Sequence, residues 1–280
     1  MRPTPENPAN MPTEDVPEAA APAGAPPRPG DSYVQSFARG LEVIRSFNAD
    51  APQQTLSDVA ARTGLTRAGA RRILLTLQTL GYVESDGRWF RLTARILDLG
   101  FAYLSSMPIW NLAEPAMEQL AEQVQESVSA SVLDGTDVVY VLRISTRKIM
   151  RISLAAGSRL PAYCASMGRV LLANLPENEA RAVLQASDRV AHTRHTLTDV
   201  DAIMDRVRQA RAQGWCLVDQ ELEEGLISIA APIVGRNGQT LAAINVSGQA
   251  NRTSAQQMQH TMLEPLRAAA AHIGQLLAAR

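Results

Sequence analysis

Gln54 to Thr93 reads QTLSDVAARTGLTRAGARRILLTLQTLGYVESDGRWFRLT, and this stretch decides how the chain folds at its N-terminal end. Ser57, Asp58 and Val59-Ala60-Ala61 predict a short helix, with Leu56 and Val59 on one face and Ala60 small enough for a close helix crossing. Gly64 follows where the chain has to turn, and a positive φ is cheap only for glycine. Leu65 plugs the corner, and Thr66 is a good N-cap for the next helix. That helix places Ala70, Ile73, Leu74 and Leu77 at spacings of three and four, toward a core. Its other side carries Arg67, Arg71 and Arg72, suited to phosphate oxygens and guanine edges in a major groove. Tyr82-Val83-Glu84 and Arg88 to Leu92 flank Ser85-Asp86-Gly87, a hairpin signal, and bring Arg88 and Arg91 to a β-wing. Turn, cap, packing and wing agree on a winged helix-turn-helix, against the plainer reading of an αα-hairpin with a solvated charged face.

Working outward, Ser36 to Asn48 is amphipathic and predicts a first helix with Phe37, Leu41, Ile44 and Phe47 facing inward. Residues 1–32 hold nine prolines with Ala, Gly, Glu and Asp, a composition that buries no core and reads as a disordered, solvated tail. The DNA-binding domain is expected over 33–92. A linker helix follows over 93–107, its Ile96, Leu97, Leu99, Phe101 and Leu104 offering an apolar face to a partner subunit or to the next domain.

The remainder, 108–280, predicts a second domain. Leu112, Met117, Leu120 and Val124 mark a helical face, and a long Ala- and Leu-rich helix is expected over Ser254 to Arg280. Strands are expected over Ser127 to Leu133, Val138 to Ser145, Met150 to Ala155, Trp215 to Gln220, Ser228 to Val234 and Thr240 to Ser247. Asp134-Gly135 and Asn237-Gly238 make hairpin turns, and Gly157 to Pro161 reads as a further turn. Short helices are expected over Ser166 to Asn174 and Asp199 to Gln213, the latter ended by Gly214. Strand pairs interrupted by helices make an α+β fold, an antiparallel sheet flanked by helices.

The 280 residues carry a net charge of −1, so the chain is no general polyanion binder. From Tyr33 to Met107, however, nine arginines (39, 45, 62, 67, 71, 72, 88, 91, 95) face six acids (42, 50, 58, 84, 86, 98), a local excess of three that favours site-specific DNA binding over charge alone. Cys164 and Cys216 stand far apart without metal spacing and read as buried thiols. His192 and His195 lack a Cys or carboxylate cluster and read as a surface pair; His260 and His272 read as structural. No apolar stretch approaches the ~18 residues of a membrane span, and the N-terminus lacks the regions of a signal peptide, so a cytoplasmic protein is expected. No cofactor and no metal are expected.

Beyond the DNA-binding segment, SFARGLEVIRSF, LSDVAARTGLTRAGARRILLTL, LGYVE, LPAYCASMGRVLLA, GWCLVDQELEEGLISIAAPI and AAINVSG resemble the IclR family of bacterial transcriptional regulators, over Tyr33 to the C-terminus. Within it, RGLEVIRSF, TRAGARRILLTL and RLPAYCASMGRVLL look most like regulators of the protocatechuate and 4-hydroxybenzoate pathways. The resemblance implies an effector-binding C-terminal domain, dimers or tetramers, and an activator that would add RNA polymerase to the partners. Gly69 stands where the branch would have alanine, which costs an exposed helix roughly 0.5–1 kcal/mol.

The residues themselves suggest where an effector sits. Ser166-Met167-Gly168 lies at a loop-to-helix junction, where free backbone N–H groups receive a carboxylate. Asp219 closes one strand, Ser228 opens the next, and Asn245 and Ser247 share a face through the period of two. The resemblance points to the same places. Arg143 and Arg151 would pair with an acidic ligand if they point inward, and are solvated otherwise; Arg147 and Lys148 read as turn charges. The expected ligand is a small aromatic acid or a dicarboxylate from its ring cleavage, and the resemblance implies 4-hydroxybenzoate, protocatechuate or β-ketoadipate, side by side. Two other classes fit the sequence less well. An enzyme finds no GxSxG, P-loop or dinucleotide fingerprint, and the carboxylates of Asp219, Glu221, Glu223 and Glu224 have no marked nucleophile. A purely architectural module fits poorly with a polar-lined second domain. A repressor of another small-acid pathway stays beside the activator.

Overall fold

The computed structural model describes residues 33–106, 109–145 and 154–278. The readings for 1–32, Arg147, Lys148, Arg151 and the strand over 150–153 lie outside them. The chain forms two compact units, the first ending at Ile96 and the second beginning at Leu97.

In the first unit, α1 (Gln35–Ser46), α2 (Leu56–Thr63) and α3 (Arg67–Thr79) surround a core of Val43, Phe47, Val59, Ala60, Ala70, Leu74, Leu77 and Val83. Thr55 caps α2 in a reciprocal box with Asp58, and Gly64 ends it at φ 66°. The hydroxyl of Thr66 accepts from the Gly69 N–H at 3.1 Å, capping α3 as its sequence predicts. The wing consists of β2 (Val83–Ser85) and β3 (Trp89–Leu92), paired antiparallel with Glu84 opposite Arg91. A third strand, β1 (Gln53–Thr55), pairs with the other edge of β3. It was not expected, because Gln-Gln-Thr is short, polar and without an alternating apolar pattern.

The inward face expected of α1 is corrected in part. Phe47 is buried and Ile44 half-buried, but Phe37 is 68% and Leu41 39% exposed, with Val43 taking the buried place. The small core takes in only the C-terminal half of α1, so Tyr33, Val34, Phe37 and Leu41 remain an uncovered apolar stripe.

The second unit opens with α4 (Leu97–Ser106), preceded by a 3-10 turn at Ala94–Ile96 where a continuous helix was expected. Its Leu97, Leu99, Phe101 and Tyr103 are exposed. Then come α5 (Ile109–Val124), β4 (Ser127–Asp134), β5 (Asp137–Ile144), β6 (Arg159–Pro161), α6 (Ser166–Ala173), α7 (Glu177–Ala186), α8 (Val200–Gln213), β7 (Cys216–Asp219), β8 (Leu226–Val234), β9 (Thr240–Gln249) and α9 (Ala255–Ala278). The strands form one antiparallel sheet in the order β6-β5-β4-β9-β8-β7. Where a turn was expected at Gly157 to Pro161, β6 pairs with β5, because the Arg159 guanidinium binds the carboxylates of Asp134 at 2.7 Å and Asp137 at 3.0 Å. Leu154 and Ala155, expected at the end of a strand, lie outside any strand. Helix α7 went unread, although Ala180 and Leu184 are its buried stripe. His260 and His272 are exposed on α9 rather than packed.

Alternation along the strands gives the sheet two unlike faces. Val128 and Ala130, Ile227 and Ile229, and Ile244 and Val246 point to a core covered by α5 and α9. Val138, Tyr140, Cys216, Val218, Ala230 and Ala243 point to the core covered by α6, α7 and α8. That second face is the one that carries the polar residues described next.

Candidate functional site

The candidate DNA face lies on α3. Thr66, Arg67, Arg71 and Arg72 are all exposed, and among the described residues no ion pair holds the three arginines. Arg67 and Arg71 lie one turn apart, and Arg72 stands about 100° farther round the helix. The two wing arginines differ. Arg91 is held by Glu84 at 2.7 Å across the strands, whereas Arg88 lies over the Trp89 ring at 5.5 Å and stays exposed. Arg95 donates to the Leu80 carbonyl at 2.8 Å, fixing the corner between α3 and the wing. The local excess of arginine therefore resolves into structural cations and presented ones.

The second site lies where α6 meets the polar end of the sheet. Period-two alternation puts Ser127, Ser129 and Ser131 of β4, Ser228 of β8, and Asn245 and Ser247 of β9 on the α6 side, all buried. Two rungs cross the strands in register. One runs Arg143–Ser129–Asn245–Ala230–Cys216, the other Ser127–Ser247–Ser228–Val218. Arg143 Nη1 donates to Ser129 Oγ at 3.0 Å, so this arginine lies over the sheet rather than away from it. Burial pulls its pKa down, and nearby Tyr140 partly opposes the shift; burial also pushes the Tyr140 phenol up to about 12.

The first turn of α6 closes the site. Its N-cap residue is Ala165, which makes no side-chain cap, so among the described residues no side chain takes up the first-turn N–H groups. Ser228 Oγ donates to Ser166 Oγ at 2.9 Å, and Ser131 Oγ to Met167 Sδ at 3.2 Å. Gly168 is required here: a Cβ would lie 2.2 Å from the Ala162 carbonyl oxygen, so only glycine lets α6 approach the preceding 3-10 turn.

A cleft opens at this junction, lined by Ser166, Met167, Ser228, Asn245, Ser247 and the apolar walls Leu160, Val218, Leu222 and Leu226. It spans about 490 Å³ with its mouth, of which about 20 Å³ admits the centre of a water molecule, room for about one water. Asn245 Nδ2 donates to Ser247 Oγ at 3.0 Å, while Asn245 Oδ1 is buried without a hydrogen-bond partner among the described residues.

Of the seven residues expected to bind an effector, Ser166, Met167, Ser228, Asn245 and Ser247 meet in this cleft, and Arg143 shares their sheet face two strands from Asn245 on the same rung. Asp219 does not join them. It is exposed and lines a separate groove with His195, Arg206 and Trp215, because the strand turns Val218, its neighbour, toward the cleft. Ser127, Ser129 and Ser131 were missed, though the alternation SVSAS carries the signal that was read in Asn245 and Ser247.

The other residues missed are a buried ion pair. Arg169 donates from Nη1 and Nη2 to the two carboxylate oxygens of Glu221 at 2.6 Å each, and from Nε to the Tyr163 carbonyl at 2.9 Å. They are 1% and 7% exposed. Glu221 also accepts from the Leu197 N–H, and Thr193 and Thr196 hydroxyls hold the carbonyls of Gln220 and Glu221. This fixes the β7–β8 turn, including Gln220 at φ 59°, against α6. Burial raises both nearby thiols, Cys164 to about 12 and Cys216 to about 11. His192 stacks on Tyr163, and His195 accepts from Arg194. Among the described residues no cluster of His, Cys, Asp or Glu could hold a metal, and no helix is long and apolar enough to cross a membrane.

Comparison with known proteins places both regions. Residues 36–87 match the IclR helix-turn-helix domain, and 101–275 match the C-terminal domain of the bacterial transcriptional regulator IclR. The chain is 42% identical over 238 residues to the Pca regulon regulatory protein of Pseudomonas putida, covering 85% of this chain and 82% of that one. It is 34% identical over 242 residues to the p-hydroxybenzoate hydroxylase transcriptional activator of Acinetobacter baylyi, covering 85% and 89%. A crystal structure of a transcriptional regulator from Rhodococcus sp. RHA1 superposes with a TM-score of 0.79 at 49% identity, over 88% of this chain and 99% of that one. An IclR homolog from Microbacterium hydrocarbonoxydans, crystallised with 4-hydroxybenzoate, superposes at 0.76 with 27% identity, over 88% and 100%.

Proposed function

From the premise that this chain belongs to the IclR family of bacterial transcriptional regulators, we infer that it is a ligand-responsive regulator that activates genes of aromatic acid catabolism. The observation that carries the effector reading is the buried polar end of the sheet beneath the uncapped first turn of α6. A carboxylate there meets free N–H groups and the positive end of a helix. Apolar walls on either side suit a ring or a short carbon chain. The relatives point the same way, one named for a Pca regulon and one for activating p-hydroxybenzoate hydroxylase, with the Microbacterium homolog bound to 4-hydroxybenzoate. An entering ring parts Leu160, Leu222 and Leu226, since the free interior holds about one water.

Thr66, Arg67, Arg71 and Arg72 enter the major groove, and Arg88 meets the backbone beside it. A single helix-turn-helix reads one half-site, so specific binding takes at least two. The uncovered stripes Tyr33, Val34, Phe37, Leu41 and Leu97, Leu99, Phe101, Tyr103 support self-assembly into a dimer or tetramer. The protein works in the cytoplasm, where DNA and RNA polymerase are, and leaves its effector chemically unchanged. The activator-type relatives favour activation over repression. DNase footprinting of DNA flanking the gene, with and without 4-hydroxybenzoate, protocatechuate and β-ketoadipate, tests the reading. A protected site whose occupancy or pattern responds to one of the acids is expected. No protection, or conversion of an acid to product, contradicts it.

A further inference from the structure

The first unit carries a second surface whose charge runs against the rest of it. From Tyr33 to Met107 arginines exceed acids by three. A groove between the α1–β1 turn and α2 is the exception. It spans about 870 Å³ with its mouth, and its polar lining is Asp50, Gln53, Gln54, Asp58 and Arg62. Two carboxylates there stand against one guanidinium, and among the described residues none of the three is in an ion pair.

Local hydrogen bonds fix the shape of this groove. Asn48 Oδ1 accepts from the N–H groups of Asp50 and Ala51 at 3.0 Å each, which holds the turn that presents Asp50. The Asp58 carboxylate accepts from the Thr55 N–H at 2.9 Å and the Thr55 hydroxyl at 2.7 Å, which holds it at the start of α2. Between them Gln54 is only 2% exposed. Its Nε2 donates to Ser46 Oγ at 3.2 Å, while its Oε1 has no hydrogen-bond partner among the described residues. A buried acceptor without a donor is costly. Carboxylates and an empty amide oxygen together call for a group that is cationic and rich in donors.

DNA is the wrong occupant, because its phosphates would meet the carboxylates. None of Thr66, Arg67, Arg71 and Arg72 lines the groove. In the β1–β3 register Thr55 lies opposite Trp89 and Gln53 opposite Arg91, so the β1 wall runs away from the Asp86-Gly87 tip of the wing. A duplex on α3 and the wing would leave the groove free. A protein seated beside this one on the same duplex binds DNA itself, and so exposes arginine and lysine along that flank. A groove of acceptors with net negative charge complements such a flank.

We propose that this groove is the surface through which the chain recruits RNA polymerase, receiving an arginine- or lysine-bearing segment of the polymerase on Asp50, Asp58 and Gln54. The proposal rests on the activator reading above. It separates two tasks within one small unit: α3 and the wing hold DNA, and the opposite charge on the α1–β1 turn and α2 holds the enzyme.

Run-off transcription with RNA polymerase and the promoter fragment that the chain protects tests it. The assay is run with 4-hydroxybenzoate, protocatechuate and β-ketoadipate in turn, and the same samples are footprinted. Asp50 is exposed, and its side chain makes no hydrogen bond among the described residues. Asp50→Lys is expected to keep operator affinity within about twofold, yet to lower transcription about fivefold or more at equal occupancy. Ala61→Lys, which sets a cation in the groove from the exposed side of α2, is expected to do the same. A residue that only supports the fold would lower occupancy and transcription together. Wild-type transcription by both variants at equal occupancy overturns the assignment and leaves the activator standing, as does a loss that only follows occupancy. If Asp50→Lys fails to fold, Ala61→Lys decides alone. A wild-type chain that raises transcription with none of the three acids removes the activator reading and this inference with it.

Discussion

The exposed face of α3 and the buried sheet end under α6 handle charge in opposite ways. On α3, Arg67, Arg71 and Arg72 stand in solvent with no counter-ion among the described residues. Under α6, Arg169 is 1% exposed and gives both terminal nitrogens to one carboxylate. An unpaired arginine in water is cheap to keep and is ready to replace the counter-ions of DNA. An unpaired arginine in a core is not tolerable, so its partner is built in. The same residue type is therefore a candidate binding group in one unit and a strut in the other, and burial tells them apart.

That contrast predicts effects of different sizes. The largest is expected at the strut. Glu221→Ala leaves a buried cation without its partner and should destabilise the second unit by roughly 3–5 kcal/mol, read from urea unfolding. Arg67→Ala should leave stability within about 0.5 kcal/mol. Equal losses from the two would break the comparison.

Next comes recognition. Arg67→Ala should weaken specific operator binding by about 1–3 kcal/mol if its guanidinium reads a base. Arg88→Ala should weaken all sequences alike and lower the salt slope by about 1. A gel-shift series over salt separates them; unchanged operator affinity in Arg67→Ala means α3 is not the reading helix.

A hydroxyl contact is worth less. Ser247→Ala should cost roughly 0.5–1.5 kcal/mol of effector affinity, with little change in DNA binding without effector. A larger loss in DNA binding than in effector binding would place Ser247 outside the ligand's reach.

The pH dependence is the gentlest probe of the second unit. The fold raises Cys164 from 9.0 to about 12 and Cys216 from 9.0 to about 11, both chiefly by burial. A folded pKa above the unfolded one means the native state holds the proton. That stability is fully present below about pH 9 and is lost as pH rises through about 11 to 12. Tm should hold between pH 7 and 9 and then fall, and native thiols should resist alkylation at pH 8. Rapid alkylation of both thiols in the folded chain would contradict their burial.

The parts legible in the sequence are those where local rules and tertiary packing agree. Gly64, Thr66 and the Asp86-Gly87 turn each carry a short-range signal, and the winged domain follows from them. Asn245 and Ser247 were legible because a strand's period puts them on one face. Asp219 was misplaced because a strand end gives no indication of which face turns inward, and Val218 takes the cleft. Phe37 and Leu41 look like core by spacing alone, but a core this small leaves them no room. Arg169 and Glu221 are 52 residues apart. No local pattern announces such a pair, and in sequence each looks like a surface charge.

A ligand-responsive regulator couples its effector cleft to its DNA-binding helix, and that coupling is reciprocal by thermodynamic necessity. The most direct test is the affinity of the full chain for 4-hydroxybenzoate, measured by calorimetry with and without a saturating operator fragment. A regulator of this kind should show affinities that differ by roughly 5- to 150-fold. Equal affinities with and without DNA would mean that the cleft and α3 do not communicate, which contradicts a ligand-responsive regulator.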